Sequence, residues 1–115
     1  MHFLITGHTG FKGAWLALWL SGLGAKVSGF SLPPDTNPSL FALALSTRDV
    51  TTYFGDIRNQ KMVQECLMAA QPQVVFHLAA QSLVRPSYRD PVGTYATNVM
   101  GTVHLLEAVR MVDSV

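Results

Sequence analysis

Three glycines at three-residue spacing limit the local fold of this chain more than any other feature. Gly7, Gly10 and Gly13 lie in the stretch TGHTGFKG, between a short apolar run at 2–6 and a longer run at 11–23 with helical spacing. Glycine destabilises the interior of a helix or strand, so three glycines at one junction need a structural reason. A tight turn that leaves a strand and leads directly into a helix accommodates all three.

Each glycine has its own role if this strand–turn–helix unit binds a phosphate group. Gly7 suits the positive φ of a tight turn. Gly10 leaves room for the backbone to approach a pyrophosphate at the positive end of the helix dipole. Gly13, one turn into the helix, lets that helix pack closely against the sheet. A glycine-rich turn without a ligand is the alternative, and the flanking strand and helix favour the pyrophosphate site.

The remainder of the chain alternates predicted strands and predicted helices. Further strands are expected at 26–30, 50–54 and 73–80, and the last is apolar enough to be buried on both faces. Helices are expected near 39–45, after a cap at Asn59, and from Asp90 and Pro91 to about Val112. This alternation predicts an α/β fold, with a doubly wound parallel sheet and helices on both faces.

Ligands of doubly wound sheets bind where the strand order reverses, beyond the carboxyl ends of the first and fourth strands. The glycine loop follows the first predicted strand, and the segment HLAAQ (77–81) ends the fourth. The two motifs therefore converge on one predicted site.

Composition excludes several classes of function. The chain has 115 residues, enough for one domain, and 13% of them are charged, with a net charge of +1 and no basic cluster. We therefore expect no nucleic-acid partner and no membrane partner, and no His/Cys grouping has the spacing of a metal site. A single cysteine, Cys66, excludes an internal disulfide, is expected to serve packing, and fits a cytoplasmic protein.

Four motifs together resemble the extended short-chain dehydrogenase/reductase family: TGxxGxxG, GDI (55–57), HLAA (77–80) and TNVMGTVHLLEA (97–108). Within it, GHTGFKG, NPSLF (37–41), GDIR and VFHLAAQSLVRPSY are similar to the CDP-glucose 4,6-dehydratases. The resemblance covers essentially the whole chain. Its motifs separate dehydratases from the related sugar-nucleotide 4-epimerases less decisively.

The resemblance implies a role for each matching position in binding NAD. The pyrophosphate would be held by Gly7, His8, Thr9, Gly10, Phe11, Lys12 and Gly13. Asp56 would accept a hydrogen bond from the adenine amino group, with Ile57 packed beside the ring. Ala79, Ala80 and Gln81 would line the nicotinamide side, and Asn98 would lie near the nicotinamide ribose. Helix entry for Asp56 and a solvated surface position for Asn98 are the structural alternatives.

One position departs from the usual dinucleotide pattern. Sites that prefer NAD carry an acid at the end of the second strand, which bonds the ribose hydroxyls. Ser31 occupies that position, and the next acid, Asp35, lies beyond two prolines. No arginine comes directly after Ser31 to favour NADP. The resemblance implies NAD, and the local residues do not exclude NADP.

Other polar residues have weaker claims to a role. His8 could contact phosphate or be a loop histidine exposed to water, and His77 is expected to be a hydrogen-bonded core histidine. Lys12, Arg85 and Tyr88 could contact cofactor or substrate phosphates, with surface solvation as the alternative for the two basic residues.

The Tyr-x-x-x-Lys pair that the family's chemistry requires is absent from this chain. Ile57, Val92 and Val99 stand four residues after the three tyrosines. The resemblance then implies that residues 1–115 are the N-terminal part of an NAD(P)-binding Rossmann-like domain, with strand order 3-2-1-4. The fifth strand, the catalytic residues and the substrate domain would lie beyond residue 115.

The full-length protein would be a lyase of nucleotide-sugar metabolism that acts on CDP-glucose, with homo-oligomerisation left open. The alternatives are another sugar-nucleotide epimerase or dehydratase, acting on a UDP- or GDP-sugar, and a non-enzymatic nucleotide-binding module. We expect the isolated segment to be inactive and only marginally stable, because an apolar sheet edge and helix faces would be uncovered.

Overall fold

Strands and helices alternate through a computed structural model that describes residues 1–115. The strands are β1 (His2–Thr6), β2 (Lys26–Ser31), β3 (Val50–Phe54) and β4 (Val74–His77). The helices are α1 (Phe11–Gly22), α2 (Leu40–Leu45), α3 (Gln60–Ala70), α4 (Val84–Arg89), α5 (Pro91–Tyr95) and α6 (Gly101–Arg110). A π-helical segment, Ala96–Met100, connects α5 to α6.

The strands form one parallel sheet in the order β3-β2-β1-β4. Successive side chains of a strand point to opposite faces, so Leu4 and Ile5 of β1 enter different cores. Ile5 packs with Ala17 and Val27 on the side of α1 and α2. Leu4 packs with residues of α3 and α6 on the other side. The predicted α/β fold with a doubly wound parallel sheet and the predicted strand order are confirmed.

Cys66 belongs to the core between the sheet and the helices α3 and α6. Its side chain is buried among Leu4, Val63 and Leu105. Burial raises the pKa of the thiol to about 12, so the sulfur stays protonated and unreactive at neutral pH. The structure confirms packing as the role expected for this residue.

Two helix starts predicted from the sequence are capped by side chains. Asn59 Oδ1 accepts a hydrogen bond of 3.1 Å from the Met62 N–H at the start of α3. Asp90 Oδ1 accepts one of 2.9 Å from the Gly93 N–H at the start of α5, and Pro91 takes the first helical position. Both caps satisfy backbone donors that an isolated helix end leaves free.

The fourth strand differs from the sequence prediction in length and burial. It covers only four residues, and its side chains are half-buried or exposed, Phe76 retaining 36% of its surface. The cause is its place in the sheet, since β4 pairs with β1 on one side and with no strand on the other. An apolar run typical of a fully buried strand is therefore found at an exposed edge.

The last predicted helix is one continuous helical run, but its middle is π-helical rather than α-helical. It begins at Pro91 as expected, passes through the π-helical segment and ends at Arg110, near the predicted end. The helix α4 before it was not predicted. Pro86 stands at its third position, within the first turn, where a proline removes no intrahelical hydrogen bond. This proline is compatible with α4, but it does not by itself predict a helix.

Large apolar side chains remain exposed along α1. Phe11, Trp15, Trp19 and Leu23 recur at every fourth residue, on one side of the helix, and Trp19 is 67% exposed. With the open edge of β4, this face confirms the expected uncovered apolar surface. No helix of the chain combines the length and apolar character that crossing a membrane demands.

The side chain of His8 is fully buried beside the sheet, so the alternative of a loop histidine exposed to water is wrong. The imidazole lies edge-on to Phe41, and its Nε2 is 3.0 Å from Thr52 Oγ1. A Cβ on Gly29 would overlap the ring. The absence of a side chain at Gly29 therefore creates the space that His8 fills.

Burial lowers the pKa of His8 to about 4. Its Nδ1 has no hydrogen-bond partner. A charged imidazole carries a proton on both nitrogens, so charging His8 would leave a buried N–H without an acceptor. The folded protein therefore holds this side chain neutral.

Replacing Gly29 by alanine should lower the free energy of unfolding by about 2 kcal/mol, because the added methyl overlaps a fully buried ring. Gly22→Ala is the matched control. A Cβ there meets nothing within 4 Å, so its effect should stay within about 0.5 kcal/mol or be slightly stabilising. Chemical unfolding of both variants measures the difference, and equal stabilities would contradict the packing of His8 against Gly29.

Stability should fall as the pH drops from 6.5 towards 4, because the unfolded state binds a proton on His8 before the folded state does. The loss from this residue should be about 3 kcal/mol at the lower limit, and it should not grow at still lower pH. His8→Gln, which cannot become charged, should flatten the profile in this interval. Unfolding curves at a series of pH values provide the measurement, and an unchanged slope in the variant would refute a neutral buried His8.

Candidate functional site

A cleft of about 430 Å³ opens at the carboxyl ends of the strands. Its size is typical of a small-molecule site. The glycine loop forms one part, and the segments that follow β2, β3 and β4 form the others. The lining residues are Gly7, Thr9, Gly10, Phe30, Ser31, Leu32, Pro33, Asp35, Gly55, Asp56, Ile57, Arg58, Leu78, Ala79, Ala80, Gln81, Pro86, Asp90, Gly93, Thr94 and Thr97.

Gly7 and Gly13 are needed for close backbone packing beside this cleft. Gly7 has a φ of 79°, and a Cβ there would lie 2.8 Å from the backbone nitrogen of Ala79. A Cβ on Gly13 would overlap the carbonyl oxygen of Gly7. The first turn of α1 is thus pressed against the loop, and the loop against the segment after β4.

Gly10 differs from the other two because it faces open space. A Cβ there would meet only the Gly7 carbonyl oxygen, at 3.3 Å. Its φ of −80° is accessible to any residue. Since Gly10 lines the cleft, its lack of a side chain keeps volume free for a ligand rather than for protein packing.

The first turn of α1 offers hydrogen-bond donors to that volume. No side chain caps the helix at Gly10. The N–H groups of residues 11–13 make no hydrogen bond within the chain. Unsatisfied donors at the positive end of a twelve-residue helix form a favourable anion site. This site suits a phosphate group next to Gly10.

Nine of the fourteen cofactor-binding residues proposed from the sequence line the cleft: Gly7, Thr9, Gly10, Ser31, Asp56, Ile57, Ala79, Ala80 and Gln81. The other five, which are His8, Phe11, Lys12, Gly13 and Asn98, do not line it. Phe11 and Lys12 have exposed side chains, and the exposed Arg85 and Tyr88 also lie outside the cleft. Phe11, Lys12 and Gly13 can take part through their backbone N–H groups. The buried imidazole of His8 lies away from the cleft.

Asp56 has the helix-entry role considered for it and also pairs with a neighbouring arginine. Its Oδ1 accepts a hydrogen bond of 2.9 Å from the Arg58 N–H, which is the helix-entry role. Its carboxylate also forms a bidentate ion pair with the Arg58 guanidinium, with a shortest distance of 2.6 Å. The Arg58 side chain is the main cause of a lowered pKa for the Asp56 carboxyl. Asp56 is therefore a charged acceptor on the wall of the cleft, with its orientation fixed by Arg58.

Ser31 at the end of β2 is tied to the glycine loop. Thr9 Oγ1 donates to the Leu32 carbonyl at 2.8 Å and lies 2.7 Å from Ser31 Oγ. A hydroxyl has one proton, so Ser31 is the donor in its contact with Thr9. The two hydroxyls hold the glycine loop against the segment that leaves β2.

A chain of hydrogen bonds fixes the segment that follows β4. Thr6 Oγ1, at the end of β1, accepts from the Leu78 and Ala79 N–H groups at 3.1 Å each. The same oxygen lies 2.6 Å from His77 Nδ1. Thr6 thus ties the carboxyl ends of β1 and β4 together at the cleft.

The other nitrogen of His77 extends the chain to α6. Thr102 Oγ1 donates to the Asn98 carbonyl at 2.7 Å and lies 3.0 Å from His77 Nε2. The Thr102 proton is used there, so His77 Nε2 carries the proton of their contact and His77 Nδ1 accepts from Thr6. Burial lowers the pKa of His77, in keeping with this neutral tautomer. His77 is the hydrogen-bonded core histidine expected from the sequence.

Asn98 forms a reciprocal pair with the backbone of Gln81. Its Oδ1 accepts from the Gln81 N–H at 2.8 Å, and its Nδ2 donates to the Gln81 carbonyl at 2.9 Å. The residue lies in the π-helical segment, a type of helix distortion that is frequent at functional sites. Asn98 is half-buried and hydrogen-bonded through both Oδ1 and Nδ2, so the solvated surface position considered for it is wrong. It positions one wall of the cleft.

Several lining residues were not among the cofactor-binding residues proposed from the sequence: Phe30, Leu32, Pro33, Asp35, Gly55, Arg58, Leu78, Pro86, Asp90, Gly93, Thr94 and Thr97. Those from α4, α5 and the π-helical segment depend on how these helices fold over the sheet. Gly55 carried a usable signal, since a glycine directly after a strand often marks a close approach, and here a Cβ would clash with Phe30.

Comparisons with known proteins agree with this geometry. The family model described as GDP-mannose 4,6 dehydratase matches residues 4–115. The chain is 50% identical over 111 residues to a CDP-glucose 4,6-dehydratase of Salmonella typhimurium, covering 96% of this chain and 31% of the relative. It is 36% identical over 107 residues to a UDP-glucose 4-epimerase of Halalkalibacterium halodurans, covering 93% of this chain and 30% of the relative.

A solved structure shows the same fold. The UDP-glucose 4-epimerase of Thermus thermophilus in complex with NAD matches with a TM-score of 0.79 and 30% identity. The match covers 96% of this chain and 34% of that structure. The chain thus spans about a third of the length of the proteins it matches.

Thr6→Val should lower the free energy of unfolding by about 2 kcal/mol, because it leaves the Ala79 N–H and His77 Nδ1 without a partner, whereas the Leu78 N–H keeps its bond to the Thr6 carbonyl. Thr51→Val makes the same change at an exposed position of β3 and should stay within about 0.5 kcal/mol. Chemical unfolding compares the two, and hydrogen exchange should be faster at Ala79 in Thr6→Val only. Protection equal to that of the unmodified protein would refute the role of Thr6.

Proposed function

Since the chain belongs to the GDP-mannose 4,6-dehydratase family, we propose that it forms the cofactor-binding part of a sugar-nucleotide 4,6-dehydratase. The reaction would convert CDP-glucose to CDP-4-keto-6-deoxyglucose with bound NAD. Similarity to the Salmonella typhimurium enzyme supports CDP-glucose as the substrate. The observation that carries the proposal is the cleft, which has free helix-terminal donors and a glycine where a pyrophosphate would lie.

The residues of the cleft fit NAD. The backbone N–H groups at the start of α1 would bind the pyrophosphate, with Gly10 leaving room for it. The Asp56 carboxylate would accept a hydrogen bond from the adenine amino group, and Ile57 would pack beside the ring. The small side chains of Ala79 and Ala80 would line the nicotinamide side. A neighbour of the same fold is an epimerase in complex with NAD.

When bound, NAD would take a hydride from glucose C4 and return it to C6 after water is lost across C5–C6. The residues of this chain would orient the reactants. Thr6, His77, Thr102 and Asn98 hold the segment 78–81 by hydrogen bonds and so would fix the wall beside the nicotinamide. We place the Tyr-x-x-x-Lys pair of the family in the part of the protein that follows residue 115.

A sugar-nucleotide 4-epimerase is the second candidate. The family resemblance, the relative from Halalkalibacterium halodurans and the structure from Thermus thermophilus all support it. Both reactions would use the same cleft and the same cofactor. They differ in the product, because a 4,6-dehydratase removes one water from the sugar and an epimerase leaves its mass unchanged.

Incubation of the full-length protein with NAD and CDP-glucose, followed by mass spectrometry, tests the proposal. We expect a product lighter than CDP-glucose by one water, and slower turnover of UDP-glucose and GDP-mannose. A product of unchanged mass with inverted C4 would replace the dehydratase by an epimerase. NAD binding without turnover of any sugar nucleotide would favour a non-enzymatic nucleotide-binding module.

The variant Gly10→Ala tests whether NAD binds in the cleft with its pyrophosphate next to Gly10. The methyl group should fit the protein with a small shift but occupy space for the pyrophosphate, so the Kd for NAD should rise by about tenfold or more. Gly22→Ala, outside the cleft, is the control and should bind NAD normally. Calorimetric titration measures both, and unfolding curves confirm that Gly10→Ala is folded. Normal NAD affinity in Gly10→Ala would contradict the proposed pyrophosphate position.

A further inference from the structure

Three carboxylates line the cleft, and two of them are already engaged within the protein. Asp56 forms the bidentate pair with Arg58. Asp90 caps α5 through its Oδ1. Asp35 makes no hydrogen bond and no ion pair. It is therefore the carboxylate of the cleft whose acceptor positions are all free for a ligand.

The end of β2 lacks the acid that usually contacts a ribose. Ser31 stands there as a neutral hydroxyl, and its one proton is given to Thr9. Thr9 in turn gives its proton to the Leu32 carbonyl. Neither hydroxyl carries charge, so this part of the cleft has no strong acceptor of its own for a pair of ribose hydroxyls.

The loop after β2 brings Asp35 to the same side of the cleft. Ser31, Leu32, Pro33 and Asp35 all line it. Pro33 and Pro34 precede the acid, and each proline fixes its own φ near −65°, which limits the freedom of this short connection. Asp35 is solvent-exposed, so a ligand in the cleft can reach its carboxylate.

We propose that Asp35 replaces the missing strand-end acid: its carboxylate accepts hydrogen bonds from the adenosine ribose hydroxyls of NAD and disfavours the 2′-phosphate of NADP. The inference rests on the proposed function, since it assumes a dinucleotide in the cleft. Arg58 is the single basic residue lining the cleft, and its guanidinium is bound to Asp56. The 2′-phosphate of NADP would therefore be repelled by the Asp35 carboxylate, and the cleft has no unpaired basic side chain to bind it.

Calorimetric titration of the full-length protein with NAD, 2′-deoxy-NAD and NADP tests this role. Asp35→Asn keeps the size of the side chain and removes its charge. Its Kd for NAD should rise by about tenfold or more, because charge-assisted hydrogen bonds to the ribose are lost. The preference for NAD over NADP should fall by a similar factor. Asp49→Asn, at the exposed position just before β3 and outside the cleft, should leave every Kd unchanged.

The analogue separates a direct contact from a general charge effect. The unmodified protein should bind 2′-deoxy-NAD more weakly than NAD, and in Asp35→Asn that difference should largely disappear. If both proteins lose the same affinity on going from NAD to 2′-deoxy-NAD, the assignment of Asp35 is overturned. An unchanged NAD affinity in Asp35→Asn would overturn it as well, and either result would leave the proposed function intact. If the unmodified protein binds neither NAD nor NADP, the assignment of Asp35 and the proposed function are both overturned.

Discussion

The close packing around Gly7 is the constraint on which the rest of the site depends. The carbonyl of this residue lies against Gly13 in the first turn of α1, and its Cα lies against the backbone of Ala79. A side chain at either glycine would separate α1 from β1 or β1 from the segment after β4. Because these contacts are between backbones, α1 points its free N–H groups into a cleft whose opposite wall is held at a fixed distance.

Hydrogen bonds extend this constraint across the sheet and into α6. Thr6, His77 and Thr102 each use both donor and acceptor capacity, and Asn98 bonds both polar groups of the Gln81 backbone. A half-buried network with every member satisfied stabilises one arrangement of its residues. The segment after β4 has no strand or helix of its own at 78–81, and this network takes the place of regular structure in fixing it.

The sequence predicts the elements of this fold well because their signals are local. Strand β3 and the caps at Asn59 and Asp90 follow from residue type and spacing alone. The burial of His8 does not, and the exposure of β4 is expected from the predicted strand order rather than from its own apolar residues, because both depend on distant residues. An apolar strand is buried only if neighbours cover it, and His8 is buried because Gly29, 21 residues further along the chain, leaves a space for its ring.

The residues of the candidate site also fall into a group that the sequence predicts and a group that it does not. Residues that contribute through backbone position, such as Gly7, Gly10 and Ala79, are found from the motif, because strand ends and glycines determine where the backbone lies. The directions of side chains in the same motif, such as that of Lys12, depend on how the helix packs. The motif alone therefore does not predict them. The part of the cleft beside Gly10 offers backbone donors and small residues, which suit the cofactor of dehydratases and epimerases alike, and proteins of both kinds match this chain. The choice between their reactions is therefore expected to depend on side chains that contact the sugar, outside the part of the site that binds the dinucleotide.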